Sequence, residues 1–426
     1  MREKEIDQSI KTRTPLFYGY IIVALIFVIQ IVMFGSSATA GVFFKPMLNE
    51  FGWSRALISG AFSFSKIITG LAGIVMGGLN DRLGPRVVIT ISGLLVGAGF
   101  LSLSLTNSVW QLYLFYVVIL GIGMGGVYAP QMSTIARWFT LRRNLMTGFA
   151  FVGGSLGGLL LPPAANSLIV VNGWRISFII MGGVTLVIIV LGAQFLKGDP
   201  RKIGQFPYGE SQKLEVRKDF PPVTAQSFSL KEAIYTRQFW VIIIMAFCNI
   251  FCLQTIMVHI VPHATDLGIS SSAAAAILAV LSAGLLTGSL VMGYNADKIG
   301  TRKTFIIGFI PMLAVLFLLL PIQDSKVIGL LVFIMAFGNG GAASLMSPML
   351  AEMYGIRSNG LILGFSSLVS SLGGAFGPFI AGYIFDTSGN YQAAFLLCGA
   401  LIVAGLGAGI LLRPLTKRTL DAGTPS

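Results

Sequence analysis

The sequence contains little charge: of its 426 residues only 11% are Asp, Glu, Lys or Arg, whereas 55% are hydrophobic. Because soluble domains carry about 25% charged residues, the composition excludes a soluble globular protein. Cysteine is scarce too, since only Cys248, Cys252 and Cys398 occur and all lie in apolar runs. Neither a disulfide framework nor a cysteine-based metal site is therefore expected. The two histidines, His259 and His263, have no evident third metal ligand, so we predict no metal site.

Other absences narrow the function further. The pattern G-x-x-x-x-G-K-[ST], which cradles nucleotide phosphates, does not occur, so neither ATP nor another cofactor is expected. The first fifteen residues are polar and charged and lack the apolar core of a cleaved signal peptide. A net charge of +13 would suit nucleic-acid binding in a soluble chain. Here the basic residues lie in short loops between apolar runs, as in membrane proteins, so no nucleic-acid partner is predicted.

Twelve apolar runs are long enough to cross a lipid bilayer, which takes about 20 helical residues. They cover roughly residues 17–44, 56–79, 87–106, 111–136, 145–171, 174–196, 238–262, 272–295, 304–321, 327–352, 361–385 and 391–412. We therefore predict an all-α polytopic membrane protein with twelve transmembrane helices. The polar stretch 197–237 is interpreted as a linker between an N-terminal six-helix bundle, 1–196, and a C-terminal one, 238–426.

The basic residues also predict an orientation. Most of the 29 lysines and arginines lie on the side of the predicted membrane that holds both termini and the linker. Because cytoplasmic loops are enriched in Lys and Arg, we expect the termini and the linker to lie in the cytoplasm. The expected location is the plasma (cell inner) membrane.

The two predicted bundles share an internal repeat. The loop after the second run is GGLNDRLGPR, and the loop after the eighth is GYNADKIGTR. Asp297 follows Asp81 by 216 residues, and the same offset aligns Gly148 with Gly364 in later runs. One offset that holds across several helices indicates two homologous halves. In proteins built this way the substrate site lies near the bilayer midplane, between the halves.

These loops resemble the signature loop of the major facilitator superfamily, and the resemblance covers essentially the whole chain. Segments 41–59, 136–163 and 364–395 are similar to the monocarboxylate transporter and oxalate/formate antiporter branch. The resemblance implies two pseudo-symmetric six-helix bundles, transport by alternating access and no enzymatic activity.

Six residues of the signature loops are predicted to form a conformational latch: Asp81, Arg82, Arg86, Asp297, Lys298 and Arg302. The two carboxylates lie at helix-to-loop junctions, where each can accept hydrogen bonds from the N-terminus of a neighbouring helix. The four cations are expected to pair with carboxylates or carbonyls across the cytoplasmic face. Such contacts hold one closed state and break in the other. The alternative is ordinary loop charge that follows the positive-inside rule.

Lys66 lies near the middle of the second run, and no acidic residue lies at a comparable depth. Charges inside a span are costly and usually functional, so an unpaired central lysine favours an anionic ligand. The alternative is a lysine that snorkels or packs through its stem. The repeat places Ser282 opposite Lys66. Monocarboxylate transporters carry a pore-facing Asp in this eighth span and an Arg four residues later. Ser282 and Leu286 depart from that pattern, which leaves proton coupling open.

Further candidates for the substrate site lie in other runs. Lys45 occurs in GVFFKP, where the resemblance implies a role at an outer gate; a snorkelling interfacial lysine is the alternative. His259 is predicted at a similar depth, where it can titrate or donate a hydrogen bond to an anion. Neutral polar residues complete the predicted substrate-binding set: Tyr128, Gln254, Asn339 and Ser282. For each of these the alternative is a hydrogen bond that holds helices together.

The sequence therefore favours a secondary transporter of small organic anions, either a monocarboxylate such as lactate or pyruvate or an oxalate/formate type of substrate. Coupling to a proton, exchange for a counter-anion and uncoupled transport all stay open. A facilitator-family exporter of other small molecules or drugs is the nearest alternative, although a cationic drug would need a central carboxylate. An integral membrane enzyme would need catalytic groups closer together than the histidines and the span-end carboxylates. A transporter-like membrane receptor is the remaining alternative.

Overall fold

The computed structural model describes residues 17–210, 228–319 and 322–412. Twelve long helices make up nearly all of these ranges, whose β-structure is a single bridge between Phe139 and Tyr208. The N-terminal half contains α1 (Tyr18–Phe51), α2 (Arg55–Leu83), α3 (Pro85–Leu103), α4 (Val109–Trp138), α5 (143–172) and α6 (174–194). The C-terminal half contains α7 (Arg237–Asp266), α8 (Ser271–Ile299), α9 (Thr301–Leu318), α10 (Ser325–Tyr354), α11 (Asn359–Ser388) and α12 (Gln392–Leu411). The prediction of an all-α protein with twelve membrane-length helices is confirmed.

Several helices depart from regular geometry. Gly173 divides α5 from α6 with a φ of 78°, a conformation that favours glycine. α1 is interrupted at Thr39, and α4 contains π-helical turns and is broken at 126–127. The predicted first run, 17–44, is too short, because α1 continues through polar residues to Phe51. Interruptions of this kind leave backbone groups that neighbouring helices and polar side chains must satisfy.

The described ends of the linker pack against the helices. The Tyr208 N–H donates to the carbonyl of Trp138 at the end of α4, at 2.9 Å. The Phe228 N–H donates to the carbonyl of Tyr354 at the end of α10, at 3.0 Å. Trp138 and Tyr354 are 216 residues apart and both are fully buried, so the two halves hold the linker at equivalent places. We call this end of the molecule the linker face and the opposite end the far face.

Near the linker face the two halves touch through glycines. A Cβ on Gly77 of α2 would collide with the carbonyl oxygen of Gly360 in α11. A Cβ on Gly293 of α8 would collide in the same way with the carbonyl oxygen of Asn144 in α5. The repeat aligns Gly77 with Gly293 and Asn144 with Gly360, so the same backbone contact occurs twice. Small residues allow helices in membranes to approach this closely.

Candidate functional site

The carboxylate of Asp81, at the linker-face end of α2, caps the N-terminus of α11. Its two oxygens accept hydrogen bonds from the backbone N–H groups of Gly360 and Leu361, each at 3.0 Å. Arg137, at the end of α4, forms an ion pair with the same carboxylate at 3.0 Å. The first N–H groups of a helix have no partner within the helix, and the helix dipole favours negative charge there. Asp81 therefore ties the N-terminal half to the C-terminal half.

Asp297 makes the corresponding cap with the halves exchanged. It lies in α8 and accepts hydrogen bonds from the backbone N–H groups of Asn144 and Leu145 at the start of α5, at 3.1 and 3.0 Å. The Asn144 side-chain amide also donates to it at 2.9 Å. Asn144 and Leu145 precede Gly360 and Leu361 by 216 residues. The repeat found in the sequence is thus repeated in the hydrogen bonds between the halves.

The cations of the signature loops do not pair across the linker face in this structure, contrary to the expectation. Arg86 donates to the side-chain oxygen of Gln194 in its own half, at 2.9 Å. Arg302 donates to two main-chain carbonyls of α12, also in its own half. Lys298 lies over the ring of a tyrosine in its own helix. Arg82 has no hydrogen-bond or ion-pair partner among the residues that the structure describes. Among the six predicted latch residues, the two carboxylates are therefore the ones that bond across the boundary between the halves.

Toward the far face α2 and α11 separate. The last glycine of α2 in this direction that lies against α11 is Gly70, which meets Leu368 and Ser371. Farther along the two helices, a Cβ on Gly60 of α2 or on Gly382 of α11 would meet only residues of its own half. The structure is therefore closed at the linker face and open toward the far face.

Lys66 lies at the point where the halves part. It is one turn beyond Gly70 and, at the i, i+4, i+7 spacing, on the same face of α2 as Gly70 and Gly73, which meet α11. Its side chain is exposed, and its ammonium donates a hydrogen bond to the hydroxyl of Ser37 in α1 at 3.0 Å. No carboxylate among the described residues forms an ion pair with it. The arrangement presents an uncompensated positive charge to the space between the halves.

His259 is engaged within the C-terminal half. Its Nε2 lies 2.9 Å from the carbonyl oxygen of Pro378 in α11, and its Nδ1 lies 3.2 Å from the hydroxyl of Tyr391. Because a carbonyl only accepts, Nε2 carries the hydrogen, and Nδ1 of the neutral ring accepts from the tyrosine. Both ring nitrogens thus have protein partners in this state. The predicted placement of His259 and Lys45 at one depth stays a prediction, because the side chain of Lys45 lies outside the described residues.

Two of the predicted neutral residues lie on helices that border the space between the halves and are partly exposed. Tyr128, at the start of the last segment of α4, packs its ring edge-on against Phe151 of α5, with centroids 6.3 Å apart. Gln254 of α7 packs against Gly374 of α11, about one turn beyond the end of the α2–α11 contact. Neither the Tyr128 hydroxyl nor the Gln254 amide has a hydrogen-bond partner among the described residues.

The other predicted residues are placed differently. Asn339 is fully buried inside the C-terminal half, where its amide donates to the main-chain carbonyl of Asn249 at 3.1 Å. It therefore holds α10 to α7 and does not border the open space in this state, contrary to the expectation. Ser282 donates back to the carbonyl of Leu278 in its own helix at 3.3 Å, so it does not face Lys66 as a partner. The side chain of Lys45 lies outside the described residues.

Sequence reasoning missed three residues that the structure brings to these places. Arg137 and Asn144 support the two carboxylate caps, but the sequence shows them only as a loop cation and a neutral residue. Ser37 contacts Lys66, and nothing in the spacing distinguishes it from its neighbour Ser36. Each placement depends on how a helix is rotated about its axis.

Comparisons with known proteins agree with this architecture. The model of the Major Facilitator Superfamily matches residues 26–264 and 255–426. Monocarboxylate transporter 11 of Homo sapiens is 28% identical over 410 residues, which cover 91% of this chain and 81% of that protein. The oxalate:formate antiporter of Oxalobacter formigenes is 30% identical over 365 residues, which cover 83% of this chain and 81% of that protein.

Solved structures show the same fold. The proton:xylose symporter XylE bound to 6-bromo-6-deoxy-D-glucose has a TM-score of 0.72 at 15% identity, over 95% of this chain and 98% of its own. The human organic anion transporter MFSD10 (TETRAN) has a TM-score of 0.68 at 14% identity, over 92% and 99%. The chain therefore belongs to the Major Facilitator Superfamily: it is a multi-pass membrane transporter and not an enzyme, related to monocarboxylate transporters and to an oxalate:formate antiporter.

Proposed function

We propose that this transporter carries small organic monocarboxylates, of the size of formate, lactate or pyruvate, by alternating access between the two faces. The observation that carries the proposal is Lys66, an exposed cation at the point where the halves part, with no carboxylate among the described residues paired with it. Two unit charges 4 Å apart attract by about 4 kcal/mol at an effective dielectric constant of about 20. A bound carboxylate would therefore compensate a charge that is costly to keep in a membrane.

The count of charges favours a monoanion over a dianion. Among the described residues of the twelve helices, the acidic side chains lie toward helix ends, and Lys66 is the central cation. One carboxylate neutralises this cation, whereas the second carboxylate of oxalate would enter the space without a partner. The relationship to an oxalate:formate antiporter keeps oxalate as the second candidate.

The two carboxylate caps distinguish the state with the linker face closed from the state with that face open. Asp81 and Asp297 hold α11 and α5 only while the linker face is closed, so both caps must break when that face opens. We propose that bundles 1–196 and 238–426 rock about the substrate, joined by linker 197–237, with Asp81 and Asp297 as the latch. With the linker face in the cytoplasm, as the basic residues favour, the present state is open to the outside of the plasma membrane.

Coupling to protons is proposed through His259, since no carboxylate of the described residues occupies a central position. Protonation would place a hydrogen on Nδ1, and the hydroxyl of Tyr391 can rotate to accept it. Such a proton would act on the link between α7 and α11 through Pro378 and not by direct contact with the anion. Exchange for a second anion is the alternative mode.

The experiment is uptake of radiolabelled formate, lactate, pyruvate and oxalate into proteoliposomes, with Lys66→Gln and Lys66→Arg compared with the parent protein. Lys66→Gln keeps much of the size and removes the charge, so we expect uptake to be lost. Lys66→Arg keeps the charge and is the matched control, which should retain measurable uptake.

Normal uptake of a carboxylate by Lys66→Gln would show that Lys66 only packs, and the proposed function of this site would be wrong. Preference for oxalate over every monocarboxylate would overturn the argument from charge count. Concentrative uptake that no proton gradient enhances would favour anion exchange over proton coupling.

A further inference from the structure

Ser37 is the polar contact of Lys66, and its hydroxyl hydrogen is unused. The Lys66 ammonium donates to the Ser37 oxygen at 3.0 Å, so this oxygen acts as the acceptor. The Ser37 hydroxyl donates to no residue that the structure describes, whereas the hydroxyls of Ser155, Ser177 and Thr287 donate back to carbonyls of their own helices. An ammonium has three N–H donors, of which one is used here. Two adjacent groups therefore still have hydrogens to donate.

The local structure of α1 explains why Ser37 faces α2. The first segment of α1 ends at Ala38, and the Thr39 N–H closes its last turn on the carbonyls of Gly35 and Ser36. Ser36 is buried, and its hydroxyl lies 3.4 Å from that of Thr185 in α6. Ser37 follows it by one residue, a rotation of about 100° around the helix, and is partly exposed. One serine thus packs into the N-terminal half, and the next faces the space beside Lys66.

We propose that Ser37 and Lys66 together bind one carboxylate group, with the Ser37 hydroxyl donating to one oxygen and the Lys66 ammonium to the other. The inference rests on the proposed function of Lys66 as the anion partner and adds a second, neutral ligand from another helix. A carboxylate has two acceptor oxygens, and two neighbouring donors match it better than they match a single-atom anion. The bound group would bridge α1 and α2 next to the interruption of α1 at Thr39, which follows Ser37 by two residues.

The matched variants are Ser37→Thr and Ser37→Val. The threonine and valine side chains have nearly the same shape, but only threonine has a hydroxyl. Binding of sodium formate, acetate, lactate, pyruvate and oxalate is measured by the thermal stabilisation that each gives the full-length protein. With the monocarboxylate that stabilises the parent most, we expect Ser37→Val to raise Kd about tenfold, whereas Ser37→Thr stays within about threefold. Ser36→Ala, at the neighbouring buried serine, should leave Kd nearly unchanged. The unliganded Tm of each variant reports whether it folds.

The two proposals fail in different ways. If Lys66→Gln abolishes binding but Ser37→Val binds like Ser37→Thr, Ser37 is no ligand and only the present inference is overturned. If Lys66→Gln binds normally, or if no carboxylate stabilises the parent protein, the proposed function fails and this inference fails with it. Sodium chloride serves as a single-atom anion, and an equal loss of chloride and carboxylate binding in Ser37→Val would also refute the two-oxygen site.

Discussion

Replacing Asp81 by Asn should shift the protein away from the state that is closed at the linker face. The carboxylate holds two backbone N–H groups of α11 and the guanidinium of Arg137, and its bonds to α11 cross the boundary between the halves. Asparagine keeps one acceptor oxygen in nearly the same place but loses the charge. The variant therefore removes the charge together with one of the two hydrogen bonds to α11.

The size of the shift follows from the bonds that change. Hydrogen bonds to charged groups contribute about 1.5–3 kcal/mol, and neutral ones about 0.5–1.5. Loss of the negative charge also removes its favourable interaction with the dipole of α11, which contributes about 0.3–1 kcal/mol. Because the substituted amide would keep some of these contacts, we expect the linker-face-closed state to lose about 1–2 kcal/mol, a change of about 5–30-fold in the ratio of the two states. Asp297→Asn should act in the same direction and to a similar extent.

A reporter cysteine can follow this ratio. The native cysteines Cys248, Cys252 and Cys398 are buried, so a water-soluble maleimide should react mainly with a cysteine introduced by Ser63→Cys. Ser63 is exposed and lies one turn beyond Lys66 on α2, where the halves are apart. If the parent favours the far-face-open state by about 10:1, a tenfold shift gives about 1:1 and roughly halves the labelling rate.

The control is Arg86→Gln, because Arg86 bonds Gln194 within one half and both move together. Its labelling rate should match the parent. The two caps share no partner among the described residues, so the double variant Asp81→Asn with Asp297→Asn should shift the ratio by about the product of the single effects. Parental labelling and turnover in both single variants and in the double variant would refute the latch.

Three further outcomes are expected. Gly77→Val should abolish transport and slow the labelling of the reporter, because its side chain would meet the Gly360 carbonyl and prevent closure of the linker face; unchanged labelling would contradict this. His259→Gln should lose uptake driven by an imposed proton gradient while retaining exchange, and equal concentrative uptake by parent and variant would exclude His259 from coupling. Asn339→Leu should lower Tm, since it removes the bond to the Asn249 carbonyl, but should leave carboxylate affinity unchanged; a large loss of affinity at normal Tm would place Asn339 in the site.

The number and type of the long helices, the two halves and the position of one central cation could all be predicted from the sequence alone. Each of these is a local or periodic property, because the length and polarity of an apolar run decide whether it can span a bilayer. The offset between Asp81 and Asp297 depends on two similar segments and needs no knowledge of their contacts. The fold and the family could therefore be predicted, and the comparisons confirm them.

The partners of the predicted site residues were decided only by the tertiary structure. No local pattern specifies helix rotation, so the sequence does not tell that Ser37 faces Lys66 while Ser36 faces α6, or that Asn339 points into its own half. His259 likewise had the right chemistry for an anion contact, but the approach of Pro378 and Tyr391 engages both of its ring nitrogens. A side chain's partners depend on helix rotation, on interruptions such as that at Thr39 and on the separation of the two halves. These are long-range properties of packing, and for that reason the pairing of Ser37 with Lys66 is visible only in the folded molecule.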